Sequence, residues 1–213
     1  MKQPSDAARF GVLVYPDVEP IDLGGTIGVL SMARRLLPGL AAVVIAREAG
    51  PVRLAGGLTV LADHGVADAP DCDVVIVCGG AGWPAVAADP ATRAYLRLLP
   101  AGGIASVCTG ALILAECGVL DGRDATTRRL ATGSETTAPL DLLGQGGRIR
   151  THAATVVDAG VVTGGGVSLA IDATLYLLGR VYGAAAMAQV ARLIEYDRAL
   201  AANRAALPWI IGS

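Results

Sequence analysis

Cys108 has the surroundings that most suggest chemistry. The apolar stretch Ile104-Ala105-Ser106-Val107 precedes it, and Thr109-Gly110-Ala111 and then Leu112-Ile113-Leu114 follow. That order predicts a strand, a sharp turn and a helix, with the cysteine on the turn and its side chain lifted above a sheet. Small neighbours suit the strained backbone of such a turn. A helix N-terminus beside the sulfur favours thiolate over thiol, which is the logic of an activated nucleophile. The competing reading is a cysteine that only fills space at a strand end, because free cysteine is among the most buried residue types. Cys72, Cys78 and Cys117 lack this setting, and Cys117 falls at the far end of the same helix.

Other segments bear on the same chemistry. Gly79-Gly80-Ala81-Gly82 follows the apolar run over 74–77. Backbone N–H groups of such a loop, together with that of Thr109, suit an oxyanion-type hole, although two glycines also simply permit a tight turn. Asp22 falls near the start of a helix that follows the first strand, where an acid complements the helix dipole or points at Cys108. Thr163-Gly164-Gly165-Gly166-Val167 lacks the lysine of a phosphate loop and the spacing of a dinucleotide fingerprint. Close packing of helix on sheet is the preferred reading there, with Gly165 a candidate substrate-contacting position beside Gly79. Asp172, on the following helix, is as readily a satisfied polar residue as a functional one. The four cysteines form no C-x-x-C pair and there are two histidines, His64 and His152, so no metal site is expected.

The elements that must position these residues follow from short apolar runs alternating with longer helical stretches. Strands are expected over 10–15, 40–47, 74–77, 103–107 and 155–163, and a hairpin over 51–61 turned at Gly56-Gly57. Helices are expected over 21–37, 91–99, 109–117, 167–182 and 184–197, with a partly ordered tail over 198–213. Strands separated by helices imply βαβ units and a mainly parallel sheet. Strands that are apolar throughout imply helices on both faces. The expected fold is α/β, an open, doubly wound sheet in one domain spanning 1–213, with its core over 10–197. Ligands of such sheets bind beyond the carboxyl ends of the strands, here the residues after Val14, Val77 and Val107.

Composition narrows the function. The 213 residues are 53% hydrophobic and 17% charged, enough apolar material for a sizeable core. Their net charge of −2 argues against nucleic acid held on a basic face. The uncharged run over 74–88 holds three glycines and a proline and falls short of the ~18–20 apolar residues of a bilayer span. The N-terminal residues show no apolar signal core, so the cytoplasm is the expected location.

Five motifs together carry a resemblance: Asp22 in I-D-L-G-G, the loop C-G-G-A-G over 78–82, the elbow S-V-C-T-G-A over 106–111, A-T-T over 125–127, and T-G-G-G-V-S-L-A-I-D over 163–172. The combination resembles the DJ-1/PfpI superfamily, and most closely its isocyanide hydratase-like branch, from about Phe10 to Asp197. The resemblance implies a flavodoxin-like fold, usually a homodimer, and a reactive elbow cysteine at Cys108 with Asp22 as its acidic partner. It places Gly80 and Thr109 as donors of backbone N–H groups. It also implies hydration of a small uncharged isocyanide to an N-substituted formamide, with no metal or organic cofactor. A ligand or redox sensor is the second expectation. A glyoxalase- or amidase-type hydrolase is the third, weakened because Thr109 stands where those branches often carry histidine. Elsewhere, Gly25-Thr26 replaces the branch's Gly-Pro, Cys78 stands where its loop more often has proline, and Arg128-Arg129 replaces a usual His-Trp. The last segment lies near the site in relatives, which leaves substrate choice open.

Overall fold

The structure, a computed structural model, describes residues 1–212. The first half of the chain forms β1 (Ala8–Leu13), α1 (Pro20–Ala33), β2 (Leu40–Ala46), β3 (Gly50–Arg53), β4 (Thr59–Ala62), β5 (His64–Gly65), β6 (Val74–Val77), α2 (Trp83–Ala88), α3 (Pro90–Leu98) and β7 (Ile104–Val107). The second half forms α4 (Gly110–Glu116), β8 (Asp124–Ala125), α5 (Pro139–Gly144), β9 (Arg150–Thr151), β10 (Val156–Asp158), β11 (Val162–Gly164), α6 (Ala170–Tyr182), α7 (Ala184–Leu193), α8 (Asp197–Ala206) and β12 (Trp209–Ile211).

Eight strands make the central sheet in the order β12-β10-β11-β7-β6-β1-β2-β5. Every pairing in it is parallel except β10 with β11. The inner strands are apolar because helices cover both faces: β6 and β7 are buried along their whole length. On one face α1 packs on α6 and α7; on the other α2 packs on α4 and α4 on α5. This is the expected doubly wound, flavodoxin-like α/β architecture. The chain leaves β1 toward β2 on one side and returns to place β6 on the other. The carboxyl ends of β1, β6 and β7 therefore open side by side, where an open parallel sheet binds its ligands. Among the described residues, no helix is long and apolar enough to cross a membrane.

Two expectations about the second half are corrected. Residues 155–163 are not one strand but the antiparallel pair β10–β11. Gly160, with φ 85°, makes the turn, and its N–H donates to Asp158 Oδ1 at 3.1 Å. Residues 198–212 are not the tail expected over 198–213, whose last residue lies outside the described ones. The helix α8 and the strand β12 complete the sheet, with β12 pairing with β10, so the core extends past 197. Long-range contacts hold this end. The Trp209 ring meets Tyr176 edge-on with centroids 5.0 Å apart, and the Arg204 guanidinium lies 3.9 Å over the Trp209 ring. Buried Asp172 accepts from Tyr196 Oη at 2.8 Å and from Asn203 Nδ2 at 3.0 Å, so its role is to tie α6 to α8. Asp172→Ala should unpair the Tyr196 hydroxyl proton, leave Asn203 Nδ2 only its 3.0 Å bond to Tyr196 Oη, and lower the free energy of urea unfolding by about 2–3 kcal/mol.

The elbow depends on one close approach. A Cβ on Gly110 would lie 2.1 Å from the Val77 carbonyl oxygen and 3.0 Å from that of Cys78. Those atoms are backbone of β6 and the residue after it, and they cannot step aside. Gly110→Ala is expected to cost about 3 kcal/mol in the same measurement, the upper end for overpacking.

Candidate active site

Cys108 sits between β7 and α4 with φ 50°, a left-handed conformation that a non-glycine residue rarely adopts. Its backbone is clamped on both sides. The Cys108 N–H donates to the carbonyls of Gly164 and Gly165, each at 3.2 Å. Its own carbonyl accepts from the Thr127 hydroxyl at 2.5 Å. The strained turn is thus held by the T-G-G-G segment and the A-T-T segment, two stretches far apart in sequence.

Asp22 reaches the same place from the first turn of α1 and is fully buried. Its Oδ2 accepts from the Gly79 N–H at 2.9 Å, while Oδ1 has no hydrogen-bond partner among the described residues. Gly79 is the point of convergence. A Cβ there would lie 2.6 Å from Thr109 N, 2.7 Å from Asp22 Oδ2 and 2.8 Å from Cys108 Cβ. Only a residue without a side chain lets carboxyl and cysteine meet.

The loop after β6 is only partly as expected. The Gly80 N–H, expected to serve as a free donor, is already engaged by the Thr109 hydroxyl at 2.9 Å, and Gly80 pairs with Val18 in an isolated bridge. A Cβ on Gly80 would lie 2.3 Å from the Asp17 carbonyl oxygen, so its absence of side chain serves close packing. The Gly79 N–H is taken by Asp22. The Thr109 N–H is the backbone donor that acts on the Cys108 sulfur. Gly165, expected at the substrate, uses its carbonyl to hold the elbow, and a Cβ there would meet Leu169 Cδ1 at 2.7 Å. Gly164 has the packing role read from sequence, since a Cβ on it would lie 2.6 Å from Ala173 Cβ on α6.

The electrostatics reverse one expectation. Burial, and then the Asp22 carboxylate, push the Cys108 thiol up to about 12; the Thr109 N–H and Arg128 oppose this without overcoming it. The helix N-terminus therefore does not make Cys108 a free-standing thiolate. Burial also raises the Asp22 carboxyl to about 7, against the Gly79 N–H and the thiol. The thiol's hydrogen bond favours the Asp22 carboxylate, and that carboxylate in turn hinders ionisation of the thiol. The pair loses its first proton near neutrality and resists losing the second. One proton is then held between a sulfur and a carboxyl, and moving it onto Asp22 leaves Cys108 as the thiolate.

Three neighbours of the sulfur escaped the sequence reading as site residues. A Cβ on Gly166 would lie 3.0 Å from Cys108 Sγ and 2.6 Å from Arg128 Cβ. Gly166 and Arg128 therefore flank the thiol, and Thr127 clamps the elbow from the residue before Arg128. The departure Arg128-Arg129 was the available signal. The two arginines separate: the Arg128 side chain is 12% exposed, whereas Arg129 is exposed to solvent. His152 lies elsewhere, 2.6 Å from Asp124 in a half-exposed pair. Cys78 and Cys117 are buried, Cys72 is half-buried, and all are free thiols. Among the described residues, no three His, Cys, Asp or Glu side chains gather as a metal would require. A cavity of about 580 Å³ opens beyond the carboxyl ends of β1 and β2, lined in part by Tyr15, Arg47, Val52 and Arg53; Cys108, Asp22 and Arg128 do not line it.

Comparison with known proteins bears on the family and the fold. The family model described as the DJ-1/PfpI family matches residues 8–178. The isonitrile hydratase of Pseudomonas putida is 32% identical over 192 residues, 89% of this chain and 79% of that protein. The HTH-type transcriptional regulator GbdR of Pseudomonas aeruginosa is 29% identical over 147 residues, 67% of this chain but 37% of the regulator. A crystal structure of a ThiJ/PfpI family protein from Pseudomonas syringae superposes with a TM-score of 0.76 at 28% identity, covering 92% of this chain and 78% of that one. On the family model, which matches most of the chain, and the shared fold, the chain belongs to the DJ-1/PfpI family.

Proposed function

We propose that the chain is an isocyanide hydratase-like enzyme that adds water to a small isocyanide to give an N-substituted formamide. The observation that carries this reading is the Asp22 carboxyl, buried against Cys108 with one oxygen unpartnered. A terminal isocyanide carbon must receive both a nucleophile and a proton. A cysteine and a carboxyl group sharing one proton supply both at one point.

The steps balance. With the proton on Asp22, the Cys108 thiolate bonds to the isocyanide carbon while Asp22 delivers its proton to the same carbon, giving a thioimidate and a carboxylate. Asp22 then draws a proton from water as the hydroxyl adds to that carbon, and passes the proton to nitrogen. In the neutral adduct, Asp22 takes the hydroxyl proton, the carbonyl forms and the carbon–sulfur bond breaks. Formamide leaves, and the thiolate and protonated Asp22 are restored. The Thr109 N–H supports the sulfur whenever it is anionic. Gly79 holds Asp22 in place, Gly80 orients Thr109, and Gly165 fixes the elbow. The scheme calls on no metal or organic cofactor.

A homodimer belongs to the same reading. Leu58 and Leu61 lie exposed on the β3–β4 hairpin, which is hydrogen-bonded to Asp17 and Val18 just before α1. The test is direct: incubate the purified chain with an alkyl and an aryl isocyanide and follow formamide. Sustained turnover is expected, and its absence across several isocyanides, with Cys108 intact, would overturn the reading. The similarity to GbdR favours a second reading, a ligand sensor that binds the same class of electrophile; it predicts stoichiometric binding at the elbow with no product.

A further inference from the structure

Arg128 has no part in the scheme above, yet its side chain passes beside the reacting sulfur. The shared closeness of Arg128 Cβ and Cys108 Sγ to Gly166 puts both on one side of the elbow. The guanidinium is held, not free. Nη2 pairs with Glu135 Oε1 at 2.5 Å, and Nη1 donates to the Leu130 carbonyl. Glu135 is in turn fixed by the Thr132 N–H at 2.7 Å. The residue before Arg128 locks the Cys108 carbonyl, so the arginine enters the site in register with the elbow.

We propose that Arg128 is the thiolate-stabilising residue of this site, its guanidinium held by Glu135 so that its positive charge faces Cys108 Sγ. The charged and titratable groups around the sulfur leave no other candidate. Asp22 comes from α1 and its carboxylate opposes charge on Cys108; Tyr15 follows β1 and Cys78 follows β6, and both, held neutral by burial, bring no positive charge. Arg128 is the cation that acts on it among the described residues, and the attraction is mutual. Glu135 is paired with the guanidinium and is more exposed, with 35% of its side chain accessible against 12% for Arg128. Solvent therefore screens Glu135 more than Arg128, and a net positive influence reaches the sulfur. The charge lowers the cost of the state in which the shared proton sits on Asp22 and the sulfur is anionic, which is the state the proposed hydration uses.

The inference rests on Cys108 as the reacting group, but its test needs no isocyanide. The rate of Cys108 alkylation by iodoacetamide is followed between pH 6 and 11, with the Cys108 peptide resolved by mass spectrometry from the other three cysteines. Arg128→Met should react about tenfold more slowly at a fixed pH, and the parent rate should return about one pH unit higher. A purely structural defect would not be repaired by alkali in that way. Arg128→Lys should recover part of the rate, and Arg129→Met should behave as the parent. Glu135→Gln keeps an oxygen for Nη2 but removes the opposing charge, so it should react faster than the parent; this variant carries the test if Arg128→Met fails to fold. Equal rates in the parent and a folded Arg128→Met, an equal loss in Arg129→Met, or a Cys108 unreactive throughout the range would overturn the proposal. Loss of isocyanide turnover as a premise would leave the alkylation result standing, and an unshifted alkylation profile in an active hydratase would remove Arg128 alone.

Discussion

Cys108→Ala should reduce formamide formation on the order of 10⁴-fold or more, because removing a nucleophile from a concerted set costs nearly all of the catalysis that the set provides. Cys108→Ser should be scarcely better, since a hydroxyl beside Asp22 ionises far less readily than a thiol. The fold should tolerate either change. The elbow is fixed through the Cys108 backbone, by Gly164, Gly165 and Thr127, and those bonds do not involve the side chain that is changed. The measurement is single-turnover formamide release beside an unfolding curve. Residual turnover within tenfold of the parent, in a variant of unchanged stability, would move the chemistry away from Cys108.

Asp22→Asn is the second large effect, and it acts in opposite directions on activity and on stability. Hydration should fall by about 10²–10⁴-fold, the span attributed to a positioned proton donor. Stability should rise with the same substitution. The folded Asp22 carboxyl titrates near 7 because of burial, whereas an unfolded aspartate titrates near ~3.9. Between those values the folded chain holds a proton that the unfolded chain has lost. Stability of the parent therefore falls as pH rises through that window, by about 4 kcal/mol in total. Asparagine keeps an acceptor for the Gly79 N–H and cannot ionise. The advantage of Asp22→Asn over the parent should be small near pH 4, grow up to about pH 7 and level off above it. Urea unfolding at several pH values reads this, and a difference independent of pH would show that the Asp22 charge is not penalised by the fold.

The two effects share one cause. Burial that makes Asp22 costly to ionise also makes it a proton donor near neutrality. A carboxyl left in water would ionise at no cost to the fold and would hold no proton to give.

Much of the architecture was legible from local pattern. The short, uncharged runs of β6 and β7, with Gly79-Gly80 soon after the first and Gly103 before the second, read as inner strands of a covered sheet, and Cys108 followed by Thr109-Gly110-Ala111 marked the elbow. The hairpin turned at Gly56-Gly57 was equally local: its glycines have φ 71° and 89°. The two misread segments failed for different reasons. Residues 155–163 hold Val156-Val157 and Val161-Val162 on either side of Asp158-Ala159-Gly160, a local turn signal that argues against a single strand, whereas the segment after Asp197 is anchored only when Trp209 meets Tyr176 and Arg204.

The sequence by itself determined the fold class, the elbow and the family motifs, because each is written in neighbouring residues whose spacing limits the backbone they can adopt. Tertiary structure decided the rest of the site. The meeting of Asp22 and Cys108 at Gly79, the use of the Gly80 N–H by Thr109, and the separation of Arg128 from Arg129 all depend on strands and loops distant in sequence. So does the protonation of the pair. A helix N-terminus alone favours a thiolate, but burial beside a carboxyl outweighs it, and burial is a property of the packed chain.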